Sequence, residues 1–80
     1  MTFYITKKTP NGRAVTIHDG MALKTAFYIL KDIQTSYSKA NSDYGAPHFQ
    51  DDGRTLIAYD GGDRIEYRIG ETESPEGFIL

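Results

Sequence analysis

The chain contains no cysteine among its 80 residues. Disulfides, thiolate metal sites and a cysteine nucleophile are therefore excluded, and one hydrophobic core must stabilise a domain near the lower size limit for independent folding. No apolar run approaches the roughly 18 residues of a membrane span, and residues 1–10 lack the apolar segment of a secretory signal. We expect residues 1–80 to form a single soluble domain in the cytoplasm, without membrane association.

Motifs for catalysis or ligand chemistry are also missing. There is no Gly-x-Ser-x-Gly elbow and no His-x-x-x-His or Glu-x-x-His spacing, and Asp60-Gly61-Gly62-Asp63 lacks the lysine of a phosphate loop. Turn chemistry explains the aspartates of this segment and of Asp51-Asp52-Gly53, which lie at opposite ends of one predicted strand, about 20 Å apart. We expect a protein that is not an enzyme, with no catalytic residues, metal or cofactor.

One long segment, Met21 to Ala40, has a helical period. Its apolar residues recur at steps of three and four and form one stripe. They are Leu23, Ala26, Phe27, Leu30, Ile33 and Tyr37. Asp19 is expected to cap the helix N-terminus, and Lys24, Tyr28 and Lys31 fall on the opposite, solvated face. Asn41 to Pro47 is predicted to be a loop.

Alternating segments on both sides of this helix predict strands. They are Phe3 to Lys8, Arg13 to His18, His48 to Gln50, Arg54 to Tyr59 and Arg64 to Ile69. Turn residues separate them, with Thr9-Pro10-Asn11-Gly12 predicting a hairpin in which Asn-Gly adopts positive φ. Phe3, Ile5, Val15 and Ile17 are expected to face the core.

These elements predict a small α+β domain in ββαβββ order. An antiparallel sheet of four to five strands would have one helix packed on one face and leave the other face open. Residues 71–80 form an acidic tail, which is either flexible or adds its last residues to a sheet edge.

Charge is unevenly distributed along a chain of net charge −2. Residues 1–40 contain six basic and two acidic groups, a balance of +4, whereas residues 41–80 contain three basic and nine acidic groups, a balance of −6. The two halves either neutralise each other within one sheet or produce a molecule with a basic helix and acidic hairpin loops.

Six tyrosines are more than one amphipathic stripe can bury. Exposed tyrosines offer large, stiff contact surfaces, which favours a protein-binding function, and packing on a thin sheet is the alternative explanation. The candidate contacts combine three tyrosines with charged residues of the predicted hairpin. They are Tyr4, Tyr28, Tyr44, Asp60, Asp63, Arg64, Glu66 and Arg68.

A compact, acidic, cysteine-free chain of this size resembles, as a class, the small inhibitors that phages and mobile elements encode against bacterial defence complexes. The resemblance implies a stoichiometric inhibitor that binds a larger protein or nucleoprotein complex, with acidic loops imitating nucleic-acid phosphates. The alternative is a nucleic-acid-binding accessory protein whose basic helix face, with Tyr28 between Lys24 and Lys31, follows a phosphate backbone. The oligomeric state is left open.

Overall fold

The computed structural model describes residues 2–40 and 45–72, with the side chains of residues 38–40 left out of the description. Its elements are β1 (Thr2–Lys8), β2 (Val15–Met21), α1 (Leu23–Ala40), β3 (His48–Phe49), β4 (Thr55–Asp60) and β5 (Asp63–Thr72). All neighbouring strands are antiparallel, and their order across the sheet is β2-β1-β5-β4-β3. The predicted α+β domain is confirmed, with five strands and one helix.

The core lies between α1 and one face of the sheet. Alternate residues of the three central strands point into it, so that Ile5 lies opposite Ile69 and Ala58 opposite Ile65. From α1, Ala26 and Leu30 are fully buried against these residues. The other predicted stripe residues, Leu23, Phe27, Ile33 and Tyr37, pack around them, together with Ile29.

Two tyrosines extend the core towards the C-terminal half of α1. The hydroxyls of Tyr37 and Tyr67 are 2.8 Å apart, and their ring centroids are separated by 6.0 Å at an interplanar angle of 58°. Burial raises the pKa of the Tyr67 hydroxyl above its ordinary value, and the hydrogen bond with Tyr37 raises it further. This bond lets two polar tips enter the core without leaving an unsatisfied group.

The hairpin turns show how backbone geometry follows composition. Gly61 and Gly62 have φ values of 58° and 95°, as a two-residue turn between β4 and β5 requires. The turn Thr9–Gly12 is present, with the Gly12 amide donating to the Thr9 carbonyl at 3.2 Å. However, neither Asn11 nor Gly12 has a positive φ, so the predicted mechanism for this turn is wrong. Proline at the second turn position is sufficient for a turn with negative φ throughout.

The second strand departs most from the prediction. It runs from Val15 to Met21, so Asp19 lies in a strand and does not cap α1, which begins at Leu23. Two β-bulges interrupt its pairing with β1, and Ile17 and His18 together oppose Ile5. Val15 and Ile17 are 59% and 38% exposed, which contradicts their predicted core positions. The reason is geometric, since α1 packs mainly against β1 and β4 and this strand lies at the edge of the sheet.

Two predictions reach outside the described residues. Of the predicted loop from Asn41 to Pro47, the structure describes Gly45 to Pro47, where Gln34 Nε2 donates to the Pro47 carbonyl at 3.2 Å. Of the predicted tail, Glu71 and Thr72 belong to β5 and pair with Phe3 and Thr2. Residues 41–44 and 73–80, and with them the candidate contact Tyr44, lie outside the described residues.

Candidate functional site: the outer face of the sheet

The side of the sheet turned away from α1 is the candidate site, which we call the outer face. Its residues alternate along β1, β4 and β5 with those that enter the core. They are Tyr4, Thr6 and Lys8 of β1, Thr55, Ile57 and Tyr59 of β4, and Arg64, Glu66 and Arg68 of β5. No helix or strand among the described residues packs on this face.

One row of the outer face combines charges of both signs. Glu66 lies between Lys8 of β1 and Ile57 of β4, and His48 of β3 continues the row. Arg64 Nη1 is 3.8 Å from Glu66 Oε2. The Arg64 side chain is about half exposed, so this contact adds little to the stability of the fold.

The next row, Thr6, Arg68 and Thr55, is connected by hydrogen bonds to the turn before β4. The Thr55 hydroxyl donates to Asp52 Oδ2 at 2.8 Å, and Arg68 Nε donates to Thr55 Oγ1 at 3.5 Å. Asp52 Oδ1 accepts from the backbone amides of Arg54 and Thr55 at 2.9 and 3.0 Å. The Arg54 amide and the Thr55 hydroxyl stabilise the carboxylate and lower the pKa of Asp52. Thr55 is thereby buried without an unsatisfied hydroxyl.

Tyr4 occupies the space above its cross-strand partner Gly70. A Cβ atom on Gly70 would collide with Cζ, Cε1 and the hydroxyl oxygen of the tyrosine. The ring is half-buried in this position. Glycine therefore lets a large aromatic side chain lie low on a sheet face that is otherwise polar.

The cations of the outer face are grouped around Glu66. Lys8, Arg64 and Arg68 are exposed cations, and Glu66 is the one acid that the strand alternation places among them. Asp52 touches this surface through its hydrogen bonds with Thr55, whereas Asp60 and Asp63 pair at the tip of the β4–β5 hairpin, at the other end of β4. The described aspartates therefore do not form one continuous phosphate-like surface.

The predicted contact residues are only partly brought together. Tyr4, Arg64, Glu66 and Arg68 share the outer face, and Asp60 and Asp63 pair at the tip of the β4–β5 hairpin. Tyr28 is 61% exposed on the solvent side of α1, across the molecule from the outer face. Sequence reasoning left out Lys8 and Tyr59, although the same alternation places both on this face.

Two recesses indent the outer face. One, of about 440 Å³, is lined by Tyr4, Thr6, Thr16, Asp19 and Thr72. The other, of about 240 Å³, lies beside the first hairpin turn and is lined by Lys8, Thr9, Pro10, Arg64 and Glu66. The first presents a carboxylate and hydroxyls, whereas the second presents two cations and one acid, so the two ends of the face differ in charge.

The fold and site define a small α+β domain with one helix on a five-stranded antiparallel sheet. No described helix or strand packs on the other, largely polar face, in which Thr55 and Ile57 are buried. No family model, curated protein or solved structure matches the chain. Within the described ranges, no group of three or more His, Asp or Glu side chains could hold a metal ion. The helix that the structure describes is too polar to cross a membrane.

Proposed function

We propose that this protein is a small, non-enzymatic protein-binding module that docks on a partner through its outer face. It acts by occupying the partner's surface, as a stoichiometric inhibitor of a larger protein or nucleoprotein complex. The class resemblance to phage and mobile-element inhibitors supports this mode of action.

The observation that carries the proposal is the exposed charged array on a rigid sheet. Lys8, Arg64 and Arg68 lie on paired strands, where Arg64 contacts Glu66 and Arg68 donates to Thr55. Arginine is favoured at protein interfaces because its planar group makes several hydrogen bonds with little loss of freedom once it is oriented. The cluster of Lys8, Arg64 and Arg68 fits an acidic patch on the partner.

The test compares matched double variants in affinity purification from the native host followed by mass spectrometry. Arg64→Ala with Arg68→Ala removes two cations from the outer face, and Lys24→Ala with Lys31→Ala removes two from the solvent side of α1. We expect the partner captured by the unchanged protein to be lost with the first pair and kept with the second. Capture that survives the arginine substitutions, or is lost equally with both pairs, would show that the outer face is not the docking surface.

The solvent side of α1 supports a second candidate, nucleic-acid binding. Tyr28 lies four residues after Lys24 and three before Lys31, and all three are exposed. Cations around an exposed aromatic ring suit a phosphate backbone with stacked bases. This function predicts retardation of single-stranded or duplex oligonucleotides that weakens steeply with salt and disappears in the Lys24→Ala, Lys31→Ala variant. No retardation at low salt would rule it out.

A further inference from the structure

The recess formed by Tyr4, Thr6, Thr16, Asp19 and Thr72 has a chemistry different from the rest of the outer face. Its lining offers one carboxylate and four hydroxyl groups. The recess is shallow and open to solvent, with a volume of about 440 Å³. None of these five residues is basic, so the recess favours a cation over an anion.

Irregular pairing of β2 places Asp19 here. The strand carries an additional residue between His18, opposite Ile5, and Met21, opposite Phe3, and Gly20 has a φ of 68° at this point. Asp19 is exposed, and the described residues include no cation within 4.0 Å of it, since the ion pairs among them are Arg54–Glu71 and Arg64–Glu66. Its carboxylate is therefore available to a group from outside.

Tyr4 supplies the aromatic wall of the recess. Its position depends on Gly70, because any larger residue would push the ring out of the space it fills. An aromatic ring attracts a cation brought close to its face, and its hydroxyl can accept a hydrogen bond. A carboxylate, an aromatic ring and hydroxyl acceptors together suit a guanidinium or ammonium group, which has donors and no acceptors.

We propose that this recess binds the cationic side chain of an arginine or lysine from the partner protein. The inference rests on the proposed function and adds a second specificity element to it. The partner's surface would then carry an acidic patch against Lys8, Arg64 and Arg68, and a basic side chain that enters beside Asp19. Such a pattern of opposite charges fixes the orientation of docking as well as its strength.

The test needs no partner and uses the full chain labelled with ¹⁵N. Nα-acetyl-arginine amide and Nα-acetyl-lysine amide are titrated to tens of millimolar at low salt, with Nα-acetyl-citrulline amide as the neutral control of nearly the same shape. We expect amide shift changes concentrated at Thr6, Thr16, Asp19 and Thr72, at least about threefold smaller with citrulline, as loss of a charge-assisted contact implies. The larger response of the two cationic probes identifies the preferred side chain.

Asp19→Asn should abolish the response, and Asp51→Asn, at an exposed acid in the turn before β4, should retain it. Because Asp19 is exposed and makes no described side-chain contact, both variants should fold, which unchanged shifts of core amides verify. The inference would be overturned by equal responses to the citrulline and arginine probes. It would also be overturned by amide shift changes spread over the other acidic residues, or by an unaltered response in Asp19→Asn. A failed titration together with loss of partner capture in the Arg64→Ala, Arg68→Ala variant would overturn the recess alone. A successful titration together with unchanged capture in that variant would overturn docking through Lys8, Arg64 and Arg68.

Discussion

Tyr4 and Gly70 face each other across β1 and β5, and the tyrosine ring fills the volume that any side chain at position 70 would need. The two residues are 66 positions apart in the chain, yet they act as one unit of the outer face. Gly70 does not have a positive φ, so its role is to provide space for the ring and not to allow an unusual backbone conformation.

Gly70→Ala should therefore destabilise the protein by about 1–3 kcal/mol, because the added methyl group displaces the Tyr4 ring. In a Tyr4→Ala background the same substitution should be neutral or stabilising, since the obstacle is gone and alanine restricts the unfolded chain. Urea denaturation of the four proteins in this cycle measures the coupling. Equal effects of Gly70→Ala in both backgrounds would show that the two side chains are independent.

The helix should be anchored to the sheet mainly by Leu30, which is fully buried in the core. Leu30→Ala is expected to lower the free energy of unfolding by about 2–5 kcal/mol, a large fraction of the stability of an 80-residue domain. Tyr28→Ala, two positions away on the exposed side, should change stability by less than about 0.5 kcal/mol. Thermal or urea denaturation checks both, and comparable losses would contradict the observed orientation of α1.

The hydroxyl pair of Tyr37 and Tyr67 predicts non-additive substitutions. Tyr37→Phe leaves the buried Tyr67 hydroxyl without its partner and should lower the free energy of unfolding by about 1–3 kcal/mol. Replacing both tyrosines with phenylalanine should lower it by less than the sum of the two single losses. The raised pKa of Tyr67 adds a pH effect. The folded state holds the Tyr67 proton more tightly than the unfolded state does. The hydroxyl's contribution to the free energy of unfolding is therefore complete below the ordinary pKa of 10.0 and is lost as pH rises above it.

Tyr67→Phe should consequently flatten the alkaline decline in stability. Denaturation midpoints measured from pH 8 upwards provide the comparison, with Tyr28→Phe as the control at an exposed position. A decline of the same slope in Tyr67→Phe would mean that the buried hydroxyl does not cause it.

Asp52 predicts a change at the acidic end of the pH range. Hydrogen bonds from Arg54 and Thr55 lower its pKa below the ordinary value of 3.8, so its contribution is present above that pH and is lost as pH falls below it. Asp52→Asn should be less stable than the unchanged protein at neutral pH, and the difference should narrow with acidification. The neighbouring Asp51→Asn is the control, and a difference independent of pH would exclude the proposed hydrogen-bond mechanism.

Periodicity was sufficient to predict the helix stripe, the order of the helix and strands along the chain, and the outer positions of Arg64, Glu66 and Arg68. These features depend on the spacing of residues within one element, which can be read directly from the sequence. The misplacement of Asp19, Val15 and Ile17 has a different origin. Gly20, with its positive φ, is the one local sign of the irregular pairing, whereas the limited width that one helix can cover depends on how the elements are in contact.

The candidate site, too, could be predicted from the sequence only in part. Alternation correctly groups Tyr4 with the charges of β5, but it cannot show that Tyr28 lies across the molecule from them, because that depends on how α1 is seated. The recess beside Asp19 combines residues from three separate strands and a bulge. Only the assembled sheet brings them to one place.

The central claim, docking through the outer face, is tested most directly by oxidative footprinting of tyrosines with and without the captured partner. Hydroxyl radicals modify accessible rings, and mass spectrometry reads each position separately in the same sample. The account predicts that the partner slows oxidation of Tyr4 and Tyr59 and leaves the rate at Tyr28 unchanged. Protection of Tyr28 with unchanged rates at Tyr4 and Tyr59 would contradict it.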